Sequence, residues 1–113
     1  MPHCIIEYSD DVATSLPIDD LLAATFEGAL SSGLFPAYDI KTRAIAYQHH
    51  STGTTQDSFV HVTLRLLSGR DDQSKVDLSE KLLASILPLL PAVISVGVEI
   101  VDMHRGSYRK RVL

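Results

Sequence analysis

The amino-acid sequence predicts an α/β (α+β) fold in which two β-α-β units form a four-stranded sheet with both helices on one face. Three observations favour it: four segments have apolar strand patterns, two segments repeat apolar residues at helical spacing, and the order strand–helix–strand occurs twice around a polar loop. Each helical segment is long enough to connect two parallel strands by a right-handed crossover. The second face of the sheet remains uncovered, and we expect so small a domain to associate.

Length and composition restrict the class of protein. The chain has 113 residues, a formal net charge of −4 and 45% hydrophobic residues, so we expect one globular domain over residues 1–113. The lone cysteine, Cys4, cannot form an intrachain disulfide, which excludes a disulfide-stabilised secreted scaffold. The acidic balance argues against a general nucleic-acid-binding protein, although it permits a local basic pocket.

The first unit is expected at residues 2–48. The segment from Pro2 to Tyr8 is short, apolar and followed by a polar turn, which is typical of a strand. Between Ile18 and Leu30 the apolar residues recur at helical spacing, which predicts an amphipathic helix, and Gly33 is suited to end it in the left-handed conformation. A second strand is expected from about Asp39 to Gln48. The amphipathic helix that begins near Ile18 has two candidate N-caps, the hydroxyl residues Thr14 and Ser15.

The second unit is expected at residues 58–102. Alternation of apolar and polar residues from Phe59 to Leu67 predicts a strand with one buried face. The pattern Ser74-x-x-Asp77 predicts an N-cap for the second helix, and the last strand is expected from about Ser95 to Asp102. The apolar stripe of the second helix is expected to contain Val76, Leu82, Leu83, Ile86, Leu87 and Leu90.

The sequence favours a cytoplasmic protein with no membrane partner. Its N-terminus lacks the basic and long apolar regions of a signal peptide. The longest uncharged stretch, Leu82 to Val98, is interrupted by Pro88 and Pro91, and we interpret it as the end of a helix, a turn and a strand. A basic tail follows at residues 103–113, and we expect it to be solvated rather than to bind an anion or a neighbouring subunit.

The proline at position 2 has the most distinctive chemistry in the chain. Methionine before a small residue is normally removed, and the mature chain would then begin with the secondary amine of Pro2. An α-amino group has a pKa of about 7.7–8.0, and both burial and cationic neighbours lower that pKa. A neutral amine near pH 7 is a competent general base. By itself the signal is weak, because proline also tolerates the first position of a strand.

Several segments of the chain resemble one family. Together they resemble the 5-carboxymethyl-2-hydroxymuconate isomerases of the tautomerase superfamily, in matching order and approximate spacing. The resemblance covers most of the chain and fades in the loop at 49–57 and after Asp102. The segments are Met1 to Asp10, Ser32 to Pro36, Ile40 to Arg43, Phe59 to Leu64 and Ser68 to Arg70.

The resemblance implies a tautomerase-like homotrimer and an isomerase that moves a proton in an unsaturated hydroxy or keto acid without a metal or an organic cofactor. It implies that Pro2 is the catalytic base and that the substrate is a polycarboxylated hydroxymuconate from the bacterial breakdown of homoprotocatechuate. Arg70 corresponds to a family arginine in the turn after the third strand. It is expected to act with Pro2 in catalysis, although a solvated turn residue is an equally good interpretation.

The second family arginine falls near Lys41, where this sequence has a lysine instead. Arg43, two residues further along the same strand face, is the other candidate for binding a substrate carboxylate. Lysine binds a carboxylate as a point charge and lacks the planar fork of arginine. This departure leaves two alternatives open: another tautomerase activity, such as on phenylpyruvate, or a non-catalytic trimeric scaffold protein.

The histidines of the chain show no recognised metal-binding motif, and we expect no metal site. His49 and His50 lie in a polar loop and are expected to be solvated. His61 points away from the apolar face of its strand, so it is expected to line a cavity or an interface. Cys4 lies in a strand, where a small buried thiol is the usual case and a nucleophile is not.

Overall fold

Four strands and two helices form the computed structural model, which describes residues 1–113. The stretch from Leu82 to Val98 contains the end of a helix, a 3-10 turn and the start of a strand, as the sequence predicts. Neither helix combines the length and the apolar character that crossing a membrane requires. The elements are β1 His3–Ser9, α1 Ile18–Ser31, β2 Lys41–Tyr47, β3 Phe59–Leu67, α2 Asp72–Ile86 and β4 Ser95–Met103.

The strands form one mixed sheet in the order β2-β1-β3-β4. β1 is parallel to β2 and β3 is parallel to β4, while the two central strands, β1 and β3, are antiparallel. Each parallel pair is connected through one helix, which makes two β-α-β connections and confirms the predicted fold class. At one end of the sheet β1 and β2 begin and β3 and β4 end. We call this the proline end, because Pro2 immediately precedes β1 there.

The hydrophobic core lies between the helices and one face of the sheet. Along β3 the apolar side chains are buried and alternate with more exposed neighbours, as predicted. The helices approach each other closely at Gly28, where an added Cβ would lie 3.1 Å from Cα of Leu82, so the position favours a residue without a side chain. The fully buried core side chains include Ile6, Leu21, Val62, Leu64, Leu78, Leu82 and Ile86.

The start of α1 differs from the prediction. Neither Thr14 nor Ser15 caps the helix, because both hydroxyls donate to backbone oxygens three residues earlier, around a 3-10 turn at Asp10–Thr14. Pro17 is the N-cap and forms no side-chain hydrogen bond. The predicted helix end is confirmed, since Gly33 has a φ of +74°, in the left-handed region.

The predicted cap of α2 is also wrong. The helix begins at Asp72, and the carboxylate of Asp71 accepts a hydrogen bond of 2.8 Å from the backbone N–H of Ser74. The predicted apolar stripe is wrong in part. Leu78 lies four residues before Leu82 and is buried with it, whereas Val76 is exposed on another face of the helix. Leu87 is also exposed, and it lies in the 3-10 turn that follows the helix.

The bounds of β1, β3 and β4 were predicted to within one residue. β3 has its predicted bounds, and β4 extends one residue further than expected, to Met103. β2 begins at Lys41 rather than Asp39, because Ala37–Asp39 forms a 3-10 turn.

The other face of the sheet, which we call the open face, has no helix over it. Its side chains are mostly polar and pair across neighbouring strands. Arg43 on β2 contacts His3 on β1, and His61 on β3 contacts Glu99 on β4. The face therefore presents charged and hydrogen-bonding groups rather than a second hydrophobic core.

Candidate active site

Pro2 lies at the proline end, and less than 2% of it is exposed. Its carbonyl accepts a hydrogen bond of 3.0 Å from the backbone N–H of Lys41, which fixes it beside the start of β2. Met1 covers it: the Met1 amine donates to the carbonyl of Asp39 at 3.0 Å, and the Met1 sulfur accepts from the N–H of Leu67 at 3.1 Å. With Met1 attached, the nitrogen of Pro2 is an amide and cannot accept a proton.

The proline end disfavours positive charge on an amine. Burial, followed by a hydrogen bond and repulsion from Lys41, lowers the pKa of the Met1 amine from 8.0 to about 6. Lys110 contributes further repulsion, and only Asp39 acts in the opposite direction. The Met1 amine is therefore largely neutral near pH 7.

Lys41 and Arg43 lie side by side on β2, where the strand register places them opposite His3 and Ile5. The Lys41 ammonium donates to the carbonyl of Asp39 at 3.3 Å. The Arg43 guanidinium donates to Nδ1 of His3 at 3.2 Å, and the Arg43 side chain is otherwise exposed. The structure thus brings both candidate carboxylate-binding residues to the same end of the sheet as Pro2.

The His3 ring is held in one tautomer by its two neighbours. An arginine has only donors, so Nδ1 of His3 must accept from Arg43 and the ring proton must lie on Nε2. That nitrogen is 3.0 Å from the hydroxyl oxygen of Tyr108 and donates to it. Burial lowers the pKa of His3, and repulsion from Arg43, the N-terminal amine, Lys41 and Arg65 lowers it further.

Arg70 follows β3, so it too lies at the proline end. Its guanidinium donates to the carbonyl of Leu34 at 3.1 Å and stands 5.4 Å from the ring centroid of Phe35. The contact joins the β3–α2 turn to the segment after α1. Arg70 forms no hydrogen bond with Pro2, Lys41 or Arg43.

The C-terminal segment folds back over the proline end, so the expectation of a solvated tail is only partly correct. The side chains of Arg105 and Lys110 are largely exposed, but Arg105 donates to the carbonyl of Ser68 at 3.0 Å and Lys110 is 3.8 Å from the carboxylate of Asp39. Between these two contacts lies Tyr108. Sequence reasoning missed His3 and Tyr108, and the available signal was a single tyrosine within an otherwise basic tail.

The largest cleft of the chain, of about 470 Å³, lies at the other end of the open face. His61 lines it, which confirms the expectation for that residue. His50 also lines it, is half-buried and packs on Phe59 with ring centroids 5.1 Å apart, so the expectation that His50 is solvated is only partly correct. The largest cleft and the candidate site at the proline end are therefore different places on the chain.

Cys4, a residue of β1, is completely buried in the hydrophobic core. Burial raises the pKa of its thiol to about 11, so the reactive thiolate is scarce near neutral pH. The prediction of a small buried thiol is confirmed.

Comparison with known proteins identifies the family. Residues 2–98 match the family model of 5-carboxymethyl-2-hydroxymuconate isomerase. The chain belongs to this family. Membership places the protein among the isomerases, and the resemblance seen in the sequence is confirmed. A 5-carboxymethyl-2-hydroxymuconate Delta-isomerase from Escherichia coli is 26% identical over 111 residues, which cover 92% of this chain and 88% of that relative.

Solved structures share the fold of this family member. A 5-carboxymethyl-2-hydroxymuconate isomerase from Deinococcus radiodurans R1 superposes with a TM-score of 0.84 and 24% identity, over 97% of this chain and 88% of that one. A fused 4-OT wild-type symmetric trimer superposes with a TM-score of 0.71 and 17% identity, over 96% and 89%. These similarities show that the fold is that of the tautomerases.

Proposed function

We propose that the protein is a cofactor-free isomerase of an unsaturated hydroxy or keto polycarboxylic acid of the 5-carboxymethyl-2-hydroxymuconate type, with the amine of Pro2 as its general base and acid. The observation on which the proposal depends is the buried, cation-lined position of Pro2 at the proline end. Family membership supports the substrate class. We place the enzyme in the cytoplasm, in the bacterial breakdown of homoprotocatechuate.

The first requirement is removal of Met1, which converts the Pro2 nitrogen from an amide into a secondary amine. Removal also vacates the space between Asp39 and Leu67 that Met1 occupies. Lys41, whose repulsion lowers the pKa of the Met1 amine, lies beside the Pro2 amine as well, and an assembly that encloses the proline end would add burial to this effect. A largely neutral Pro2 amine near pH 7 is the expected result.

Proton transfer by Pro2 accounts for the isomerisation without any change in oxidation state. The neutral nitrogen accepts the proton of the substrate's enol hydroxyl, and the O–H electron pair forms the carbonyl bond while the carbon–carbon double bond shifts along the conjugated chain. The nitrogen then returns that proton to the distant carbon. One O–H bond is replaced by one C–H bond, and Pro2 ends as it began.

The basic residues around Pro2 supply partners for the substrate carboxylates. In the proposal, Lys41 and Arg43 bind one carboxylate at the start of β2. Arg70 acts in catalysis by stabilising the charge that develops on the carbonyl oxygen. A guanidinium has five N–H donors, so the bond from Arg70 to Leu34 leaves donors available for this role.

We propose a homotrimer as the active assembly. The open face and the edge strands β2 and β4 offer polar groups and unpaired backbone for association. No cleft of the single chain includes Pro2 in its lining, so an enclosed site at the proline end needs walls from elsewhere. The fused 4-OT structure, which has the same fold, is a symmetric trimer, and this supports a trimer here.

A direct test is an assay of protein whose Met1 removal has been verified by intact-mass spectrometry. The panel contains hydroxymuconates with one, two or three carboxylates together with phenylpyruvate. We expect the highest kcat/KM with a polycarboxylated hydroxymuconate. Preference for phenylpyruvate would favour the second candidate activity, which the lysine at position 41 motivates, and no turnover of any compound would favour a non-catalytic scaffold.

The role of Pro2 is tested by Pro2→Ala. Alanine is also small enough for Met1 to be removed, but it replaces the rigid secondary amine by a primary one, so we expect kcat to fall by about 10²–10⁴-fold, as for loss of a positioned base. Pro91→Ala, at an exposed position outside the site, is the matched control and should retain full activity. Unchanged kcat in Pro2→Ala would refute Pro2 as the base.

A further inference from the structure

We propose that Tyr108 is a positioning residue of the site: its hydroxyl fixes the His3 ring so that His3 holds the Arg43 guanidinium ready for a substrate carboxylate. The inference rests on the proposed function, because it takes Arg43 as a carboxylate-binding residue. It assigns to the C-terminal segment a part in substrate recognition.

The geometry of the three side chains forms one hydrogen-bonded series. Arg43 donates to Nδ1 of His3 at 3.2 Å, and Nε2 of His3 donates to the Tyr108 hydroxyl at 3.0 Å. The rings of His3 and Tyr108 also meet edge to face, with centroids 6.1 Å apart and an interplanar angle of 70°. Tyr108 therefore determines both where the His3 ring lies and which nitrogen bears its proton.

The series requires an uncharged His3. Protonation would place a proton on Nδ1 as well, and the ring could then no longer accept a hydrogen bond from Arg43. The charged groups that face the ring are Arg43 and Lys41 from β2, Arg65 from β3 and the N-terminal amine, and all of them disfavour a charged imidazole. From the C-terminal segment, the hydroxyl of Tyr108 contacts the ring.

The backbone around Tyr108 is anchored on both sides. Before it, Arg105 donates to the carbonyl of Ser68, and after it, Lys110 pairs with the carboxylate of Asp39. Asp39 lies at the site itself, because its carbonyl also accepts from Lys41. The segment thus has a defined place over the proline end, which a positioning role needs.

Arg43 needs such support because its side chain is exposed. An unsupported arginine samples many rotamers, and fixing it on ligand binding costs conformational entropy. His3 restricts the guanidinium before the ligand arrives, and this lowers the cost of binding. Loss of the Tyr108 hydroxyl frees the His3 ring to turn or to move its proton to Nδ1, where it no longer accepts from Arg43.

The test uses full-length protein without Met1 and adipate, a saturated six-carbon dicarboxylate that cannot tautomerise. Isothermal titration calorimetry measures its Kd in wild type, Tyr108→Phe, Arg43→Ala and the double variant. We expect Tyr108→Phe to weaken binding by about three- to tenfold, the range for loss of one hydrogen bond, and to have no further effect in the Arg43→Ala background. Tyr38→Phe, the same change at an exposed tyrosine, should bind as wild type does.

A second readout follows His3 directly. In wild type at neutral pH, ¹⁵N NMR should show the His3 proton on Nε2, and Tyr108→Phe should show a mixture of tautomers. Any one of four results would overturn the proposal. Two are an unaltered tautomer and an unaltered Kd in Tyr108→Phe. The others are effects of Tyr108→Phe and Arg43→Ala that simply add, and no binding of adipate by the wild type. Failure of the proposed function is distinguishable from these results, because it appears as absent turnover in a protein that still binds adipate with the Tyr108 and Arg43 dependence described.

Discussion

Pro2 and His3 are neighbours in sequence, yet they belong to different surroundings because successive side chains of a strand point to opposite faces. Pro2 is buried at the sheet end, while His3 lies on the open face between Arg43 and Tyr108. Both surroundings disfavour positive charge. At the scale of single residues, the proline end therefore lowers the pKa of two groups, the Met1 amine and the His3 imidazole, through burial and nearby cations such as Lys41.

The lowered pKa of His3 predicts a pH dependence of stability. Because the folded pKa lies below the unfolded value of about 6.5, the unfolded chain binds more protons in this range, and the free energy of unfolding falls as the pH is lowered from about 6.5 through the folded pKa. Urea unfolding at fixed protein concentration between pH 7 and 5 measures this. We expect a steeper decline in wild type than in His3→Asn.

The matched control for this prediction is His49→Asn. His49 is an exposed loop residue that forms no hydrogen bond, so its removal should leave the pH dependence of the wild type intact. Equal slopes in wild type and His3→Asn would contradict the argument that His3 is kept neutral by its neighbours.

At the scale of elements, the sequence pattern located strands more accurately than helix starts. The period of two along β3 reports burial residue by residue, so its bounds were predicted. A helix start depends on which of several polar side chains reaches a free N–H. At α2 the carboxylate of Asp71 does so, by accepting from the backbone N–H of Ser74.

The structure predicts which substitution weakens α2. Asp71→Ala removes the side-chain acceptor and should lower the free energy of unfolding by about 0.5–2 kcal/mol. Ser74→Ala keeps the backbone N–H that the cap uses, so it should cost clearly less. Urea unfolding at pH 7 compares the two variants. A larger loss in Ser74→Ala would restore the capping residue that the sequence pattern indicates.

At the scale of the whole molecule, the open face is the surface that the single chain leaves unused. β2 is an edge strand, and its Ile45 is 53% exposed on that face, next to Arg43 of the candidate site. An exposed apolar side chain on an unpaired strand edge favours association. The same assembly that covers this edge would bring further walls to the proline end.

The proposed trimer predicts a mass of about three times the 12.4 kDa of the chain in sedimentation equilibrium. Ile45→Asp places a charge on the edge strand and should shift the protein towards the monomer mass, with a parallel loss of turnover. Val76→Asp, at an exposed apolar position on α2, is the control and should remain trimeric. A wild-type protein of monomer mass would contradict the proposed assembly.

The sequence by itself determined the order of strands and helices along the chain and the buried face of β3, because local periodicity reports both. The grouping of Pro2, Lys41 and Arg43 was expected only from the family resemblance, and the pairing of β1 with β2 brings these residues to one end of the sheet. Only the tertiary structure decided the bond from Arg70 to Leu34 and the return of the C-terminal segment to the site. The hydrogen bond between His3 and Tyr108 joins residues 105 positions apart. No local pattern encodes such a contact, since it depends on the path by which the folded chain returns to its own beginning.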